Sequence, residues 1–223
     1  MRRIRGWPAT LTEPDLLDAP VVLRPARVSD VKVRRAVMAA NDSWLRPLNA
    51  TDPDAPAGAA RANPLVAMAR RSPALPYLAV ARSQWKGRRG IAFSWVVWYG
   101  GQFAGDLTVW HILWGPNRSA EVGYWIDERL AGRGIAPTAL AMGADYCFKH
   151  TGLHRLEAGI QPENTASRRV VEKLGFRDEG TRTGLVHIDG AWRDHVCYAI
   201  TAEAAPDGLL HRWRNSLATS RAI

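Results

Sequence analysis

The sequence has little cysteine and no long hydrophobic run. Its 223 residues include only Cys147 and Cys197, too few for a disulfide framework, and neither belongs to a Cys/His cluster of metal-ligand spacing. We therefore expect two reduced thiols, no bound metal and a cytoplasmic protein. No apolar run approaches the ~20 residues that cross a bilayer, and the basic segment 1–5 is followed by Pro8 and acids instead of an apolar signal. Export and membrane anchoring are therefore disfavoured.

Lysine is also scarce, and arginine carries the basic charge. Thirty Lys and Arg against 21 Asp and Glu give a net charge of +9, although only four residues are lysine. A basic balance fits a nucleic acid or a phosphate-bearing cofactor, and it also fits a genome-wide preference for arginine codons. Apolar residues make up 47% and charged residues 23%, proportions typical of a soluble globular domain.

Prolines and changes in charge mark the boundaries of three parts of the chain. Residues 1–19 mix acids with proline and form an N-terminal arm, residues 20–202 form one domain, and residues 203–223 form a tail that is a frayed or partner-contacting helix. Within the domain, the four prolines of segment 47–64 predict a long loop, and ordered loops of this length are usually functional. A short helix is expected at 65–71.

The patterns of the domain predict an α+β fold with a mostly antiparallel sheet. A strand at 21–23 and a helix from Asp30 to about Asn41 precede the long loop. β-branched and aromatic runs separated by turns then predict a meander, with Gly100-Gly101 as its tightest hairpin. The expected meander strands are 77–81, 91–98, 103–110 and 120–126.

Helical periodicity follows the meander. A helix is expected over 134–150, then a strand at 156–160, and then a helix that Asn164 caps and Gly175 ends. A last hairpin turns at Asp189-Gly190, with arms at 183–188 and 192–200. These helices are expected to cover the sheet.

One segment has the features of a phosphate cradle. The strand 120–126 runs into Arg129-Leu130-Ala131-Gly132-Arg133-Gly134 and then directly into a helix. Glycines let successive backbone N–H groups face one point, and a helix N-terminus adds donors and positive potential there. The segment lacks the Gly-Lys-Ser/Thr ending of a P-loop, and Pro137 replaces the third glycine of a dinucleotide-binding turn. Taken alone, it is equally consistent with a structural turn.

The order of motifs resembles the GCN5-related N-acetyltransferase (GNAT) superfamily over roughly residues 20–202. The segments Glu121-Val122-Gly123-Tyr124-Trp125, Asn164-Thr165-Ala166-Ser167, Glu172-Lys173-Leu174-Gly175-Phe176 and Asp189-Gly190-Ala191-Trp192-Arg193-Asp194-His195 are similar to its ribosomal-protein alanine N-acetyltransferase (RimJ/RimL) branch. The resemblance implies a three-layer fold whose mixed sheet is splayed at its centre and flanked by helices.

The resemblance also implies an acetyl-CoA site without a metal. Backbone N–H groups of Ala131, Gly132, Arg133, Gly134, Ile135 and Ala136 would hold the pyrophosphate, with the charges of Arg129 and Arg133 nearby. The backbone of Trp125 and Ile126 would bind the pantetheine arm as an added strand. Asn164 would face that arm, although capping a helix is a sufficient reason for an asparagine at this position.

Acetyl transfer to an amine requires a base for the amine and a proton for the departing thiolate. The resemblance assigns the base to Glu121, whose alternative is an exposed strand acid. Many relatives donate the proton from a tyrosine at a position occupied here by Val171. Ser167, one turn after Asn164, is therefore the predicted donor, and its alternative is a local hydrogen bond in the first helical turn.

The predicted function is acetylation of a protein N-terminus, such as that of a ribosomal protein, by a monomer or homodimer. A small-molecule amine, such as an amino sugar or a polyamine, is the alternative acceptor. A different class, an RNA-binding module with a vestigial cofactor turn, would use the net charge and the exposed Trp residues. In the enzyme, nucleic acid would be met only through the ribosome.

Overall fold

The computed structural model describes residues 7, 9–54 and 75–221. In these residues eight strands form one sheet in the order β1-β2-β3-β4-β5-β6-β8-β7. The strands are β1 Leu11–Glu13, β2 Val21–Arg24, β3 Phe93–Tyr99, β4 Gln102–Leu113, β5 Ser119–Ile126, β6 Arg155–Ile160, β7 Arg177–Ile188 and β8 Ala191–Thr201. The predicted helix at 65–71 and residues 55–64 of the predicted loop lie outside the described residues.

Helices cover both faces of the sheet. They are α1 Val31–Ala40, α2 Asp42–Leu45, α3 Leu75–Arg88, α4 Ile135–Tyr146, α5 Thr165–Lys173 and α6 Leu209–Arg221. The main core lies on the α4 side, while Val37 of α1 packs against Val96 and Phe103 on the other side. Every strand pair is antiparallel except β5 and β6, which run parallel. The predicted α+β class and mixed, mostly antiparallel sheet are confirmed.

Both predicted hairpins have the expected turns. Gly100 and Gly101 have φ values of 53° and 79°, and Asp189 and Gly190 have φ values of 47° and 86°. Two successive residues with positive φ are characteristic of the type I′ turn, whose twist matches that of the flanking strands. The β7 arm begins at Arg177, earlier than predicted, because irregular pairing extends it before the regular ladder.

The predicted strand at 77–81 is wrong, because these residues belong to α3. The segment holds two alanines and a leucine, which favour helix, and one β-branched residue, Val80. Val80 is buried, and one turn later the side chain of Gln84 donates a hydrogen bond to the carbonyl of Ala26 at 2.9 Å. Tertiary contacts on one helical face thus decide the structure here.

The N-terminal arm contributes to the sheet and the core. Its residues 11–13 form β1, which pairs with β2. Trp7 is buried with its ring centroid 5.1 Å from those of Phe93 and Trp95. A Cβ on Gly87 would lie 2.1 Å from the Trp7 indole, so α3 approaches this ring at a glycine. The arm therefore packs as part of the domain.

The C-terminal helix α6 docks on α4, which corrects the expectation of a frayed tail. Trp213 is buried, and its Nε1 donates to Thr138 Oγ1 at 2.9 Å. Asp145 accepts hydrogen bonds from the first backbone N–H groups of α6, at 2.7 and 3.2 Å. The burial of an indole and the capping of the helix end by a carboxylate explain the docking.

Candidate active site

The sheet opens between β5 and β6. Their parallel pairing has three registered positions, from Ser119 opposite Arg155 to Glu121 opposite Glu157. Beyond Glu121, residues 122–126 of β5 have no partner on β6. Backbone N–H and C=O groups on this edge of β5 are therefore available to another extended chain.

A cleft adjoins this opening and encloses about 1000 Å³ of space, part of it open to solvent. We call it the glycine-turn cleft. It lies between the turn after β5, the start of α4 and one face of α5. Seven of the predicted cofactor residues line it: Ile126, Ala131, Gly132, Gly134, Ile135, Ala136 and Asn164.

The turn itself has the geometry expected of an anion site. Gly132 and Gly134 have φ values of 80° and 81°, a left-handed conformation that glycine adopts without strain. Within the described residues, none of the backbone N–H groups of residues 132–136 donates a hydrogen bond. Pro137 lies in the first turn of α4, where no N–H is needed. Unpaired donors at the start of a twelve-residue helix favour a phosphate group.

Three predicted cofactor residues direct their side chains elsewhere. The guanidinium of Arg129 binds the buried carboxylate of Asp127, with Nε 3.1 Å from both oxygens, and this interaction holds the pKa of Asp127 below its usual value. Arg133 lies beside the hydrogen-bonded pair of Asp18 and Tyr99. Trp125 points to the α1 side of the sheet, so only its backbone faces the opening.

Two cations that sequence reasoning missed line the cleft instead. Arg169 and Lys173 lie one turn apart on α5, and both border the glycine-turn cleft. The ammonium of Lys173 also lies 5.7 Å from the ring centroid of Trp213. Their i, i+4 spacing could have predicted this pair, because it places both side chains on one face of a helix.

A second cavity lies on the other side of the opening and encloses about 950 Å³, including open solvent. We call it the Glu121 cavity. It shares Leu48, Tyr124, Asn164 and Ser167 with the glycine-turn cleft, so the two spaces meet between β5 and α5. Among the described residues that line it, Glu121 is the one carboxylate. A cationic amine therefore matches the charge of this cavity.

A bulge in β4 determines the surroundings of Glu121. The side chain of Glu121 is 44% exposed, and its Oε1 lies 3.2 Å from Nδ1 of His111. His111 has a φ of 48°, and the pairing of β4 with β5 is irregular between Trp110 and Leu113. A bulge redirects side chains, and here it turns the imidazole toward the carboxylate.

Ser167 is held by its backbone on the border of both spaces. Its N–H donates to Asn164 Oδ1 at 3.0 Å, so the predicted cap is confirmed. Its carbonyl accepts a hydrogen bond from the Tyr124 hydroxyl at 3.2 Å. Burial raises the pKa of Tyr124, so this phenol remains a donor at neutral pH. Val171 is fully buried in the core, and the residue therefore supplies neither a proton nor a cavity wall.

Sequence analysis gave His195 no role in the site beyond its place in a family motif. His195 is 7% exposed and lines the Glu121 cavity. Its Nδ1 lies 3.2 Å from the carbonyl of Arg193, which can only accept a hydrogen bond. The residue faces inward because its position on β8 places it over Gly159 of β6, and this register is not visible in the sequence.

Residues 47–51 form a roof over the Glu121 cavity. Ala50 forms a bridge with Ile188, and the N–H of Thr51 donates to the His187 carbonyl at 2.8 Å. On the other side, the Gln161 side chain donates to the Pro47 carbonyl at 2.6 Å. The described part of the predicted long loop therefore covers a cavity, as expected of a functional loop.

Trp110 forms one wall of the same cavity. A Cβ built on Gly123 would lie 2.6 Å from the Trp110 ring, so the indole occupies the space above this glycine. Only glycine at position 123 allows the ring to lie there. Trp110 thus limits the cavity beside Glu121.

Among the helices of the described ranges, none combines the length and the apolar character needed to cross a bilayer. No group of three or more His, Cys, Asp or Glu residues there has the arrangement of a metal site. Cys147 and Cys197 are both free thiols, and burial raises the pKa of Cys147.

Comparison with known families gives one match that spans more than half of the chain. The model of the acetyltransferase (GNAT) domain matches residues 42–177 of the 223.

Curated relatives match a shorter part. The probable N-acetyltransferase YjcK of Bacillus subtilis (strain 168) is 41% identical over 96 residues, which are 43% of this chain and 53% of that protein. The [ribosomal protein uS5]-alanine N-acetyltransferase of Escherichia coli (strain K12) is 33% identical over 91 residues, 41% of this chain and 47% of that protein. The chain thus spans about half the length of these curated relatives.

Solved structures match over a larger part of the chain than the curated relatives do. Mycobacterium smegmatis RimJ in complex with CoA-disulfide has a TM-score of 0.83 and 34% identity, covering 97% of each chain. A ribosomal-protein-S5-alanine acetyltransferase from Vibrio fischeri has a TM-score of 0.65 and 26% identity, covering 81% of this chain and 92% of the other.

Proposed function

The chain belongs to the acetyltransferase (GNAT) family, and we propose that it transfers the acetyl group of acetyl-CoA to the N-terminal α-amine of a protein, such as a ribosomal protein. The observation that carries the proposal is the opening between β5 and β6. It joins an anion-binding cleft to a cavity whose lining contains one carboxylate, Glu121. The names of the uS5-modifying relative and of the ribosomal-protein-S5-alanine acetyltransferase structure favour a protein acceptor.

The residues of the glycine-turn cleft fit acetyl-CoA. The unpaired N–H groups of residues 132–136 fit a pyrophosphate, and Arg169 and Lys173 add positive charge to the same cleft. The free edge of β5 at 122–126 fits the amides of a pantetheine arm, and the side chain of Asn164 borders its path. Acetyl-CoA supplies the acetyl group as an activated thioester.

Glu121 and Ser167 divide the proton transfers in this proposal. Glu121 binds the acceptor ammonium and takes one proton, which passes to water, and the freed nitrogen lone pair attacks the thioester carbonyl. As the C–N bond forms and the C–S bond breaks, the nitrogen loses its second proton to the same carboxylate. Ser167, on the border of the two spaces, gives its hydroxyl proton to the thiolate that leaves and regains a proton from water. Serine is a weak acid, and a thiolate with a pKa near 8.5 departs partly unassisted, so we expect Ser167 to contribute less than Glu121.

A panel of acceptors tests the proposal. The protein is incubated with acetyl-CoA and short peptides with free or blocked N-termini, together with amino sugars and polyamines, and acetylated products are identified by mass spectrometry. We expect acetylation of free peptide N-termini alone. Products from the small amines and not from the peptides would contradict the proposed acceptor, and a lack of acetyl-CoA binding by calorimetry would contradict the proposed reaction.

A further inference from the structure

A third space lies beside the Glu121 cavity, behind the indole of Trp110. It runs between the end of α3 and the end of β4 and encloses about 880 Å³, much of it open to solvent. We call it the Lys86 groove. Its lining includes Lys86, Arg89, His111 and Trp114, and it shares Trp110 with the Glu121 cavity. The two spaces are therefore neighbours across one side chain.

The charge changes sign across Trp110. The ionisable residues that line the groove are Lys86, Arg89 and His111, and no carboxylate is among its described lining residues. On the other side, Glu121 is the carboxylate of the cavity. His111 joins the two regions, because its Nδ1 lies 3.2 Å from the Glu121 carboxylate.

This pattern matches a polypeptide with a positive end followed by negative side chains. We propose that the acceptor chain, with its N-terminal amine at Glu121, continues over Trp110 into the Lys86 groove, where an acidic side chain binds Lys86. The inference rests on the proposed function and narrows its substrate class to N-termini that are followed by acidic residues. An extended chain advances about 3.3–3.6 Å per residue, so two or three residues pass one indole and the third to fifth residues reach the groove.

The aromatic lining suits the same ligand. Trp110 and Trp114 present rings to the groove, and Trp114 is fixed by its Nε1, which donates to the Gly90 carbonyl at 2.8 Å. Arg89 lies over the Trp85 ring, 5.1 Å from its centroid, which orients its guanidinium. Fixed rings provide apolar contact for a peptide, while the cations select its charge.

RNA would also be attracted by cations and tryptophan rings. The neighbouring Glu121 carboxylate opposes it, because a phosphate backbone that continued past Trp110 would meet a negative charge. Continuity with a cavity suited to an amine therefore favours an acidic peptide.

Three peptides with the same first two residues, and with Glu, Gln or Lys at the third to fifth positions, test the inference by their kcat/KM for acetylation. We expect kcat/KM to fall in the order Glu, Gln, Lys, by about 1.4- to 5-fold between the Glu and Gln peptides at low salt, the range given by one exposed ion pair at Lys86. The preference should shrink at about 0.5 M salt, where such pairs are screened.

Variants of α3 locate the effect. Lys86→Glu should remove or reverse the preference for the Glu peptide. Arg82→Glu, an equal charge change at an exposed position of the same helix outside the groove, should leave the preference unchanged.

The outcomes separate this inference from the proposed function. Acetylation of all three peptides with equal kcat/KM would overturn the inference and leave the proposed function intact. If no peptide is acetylated, both are wrong. If a single-stranded RNA oligonucleotide binds more tightly than the Glu peptide in fluorescence anisotropy, and Lys86→Glu abolishes that binding, the groove is an RNA site and the inference is overturned.

Discussion

Substitution of Gly132 by Asn and by Asp separates the shape of the glycine turn from its preference for anions. Gly132 has a φ of 80°, and a Cβ built on it meets no atom within 4 Å, so either side chain has room. Asn and Asp tolerate the left-handed conformation better than other residues. The two variants therefore carry nearly equal backbone strain and differ by one negative charge.

That charge sets the expected difference in acetyl-CoA affinity. Two unit charges about 6 Å apart repel by ~1.4 kcal/mol at an effective dielectric constant of ~40, and a pyrophosphate with two charges about doubles this. The Asp variant should thus bind acetyl-CoA roughly 10- to 100-fold more weakly than the Asn variant.

Isothermal titration calorimetry of both variants measures this difference, with melting curves to show that both are folded. The difference should narrow at high salt, because the carboxylate is exposed to solvent at this turn. Equal dissociation constants for two folded variants at low salt would refute the assignment of the turn as an anion site.

Three further predictions concern other parts of the site. Glu121→Gln should lower kcat/KM by ~10²–10⁴ while the acetyl-CoA dissociation constant, measured by calorimetry, stays unchanged, and wild-type activity at every pH would exclude Glu121 as the base. Gly123→Ala should cost about 1–3 kcal/mol of unfolding free energy, because its Cβ would lie 2.6 Å from the Trp110 ring; urea denaturation with and without Trp110→Leu checks this, and an equal cost in both backgrounds would contradict the contact. The hydrogen bond from Arg129 lowers the pKa of Asp127, so the charged carboxylate stabilises the fold above its unfolded pKa of about 3.9, and this stability is lost as the pH falls through the lower native pKa. Below about pH 4, the unfolding free energy of Asp127→Asn should therefore fall less steeply with decreasing pH than that of the wild type. Equal pH dependence of the two proteins in acid denaturation would contradict this reasoning.

Features that depend on a few neighbouring residues could be predicted from the sequence. The glycine turn, the Asn164 cap and the two type I′ hairpins follow from local backbone preferences, which act over two to four residues. Glu121 lies on a strand whose start was predicted within one residue, while its place at the opening of the sheet was implied by the family resemblance.

Features that depend on distant elements could not be predicted in the same way. His195 faces the Glu121 cavity because β8 pairs with β6 in one register, and a shift of one residue would have turned it away. Asp127, which binds the side chain of Arg129 two residues later, is itself held by a hydrogen bond from the side chain of Asn41, 86 residues earlier in the chain. Segment 77–81 is a short apolar run that fits either a strand or a helix. It is helical as part of α3, whose Gln84 side chain contacts the distant Ala26 carbonyl.

The first turn of α5 connects the two halves of the proposed reaction. At the start of α5, the side-chain oxygen of Asn164 accepts a hydrogen bond from the N–H of Ser167. Across the opening, the Tyr124 hydroxyl on β5 donates a hydrogen bond to the Ser167 carbonyl. Because burial raises the pKa of Tyr124, this second hydrogen bond persists across the neutral pH range. A proton donor acts only within hydrogen-bond distance of its acceptor. For a weak acid such as serine, its position is therefore the first requirement and its pKa the second. In the proposed reaction the opening of the sheet provides the space for two substrates. One hydrogen bond within α5 and one across the opening would keep Ser167 where those substrates meet.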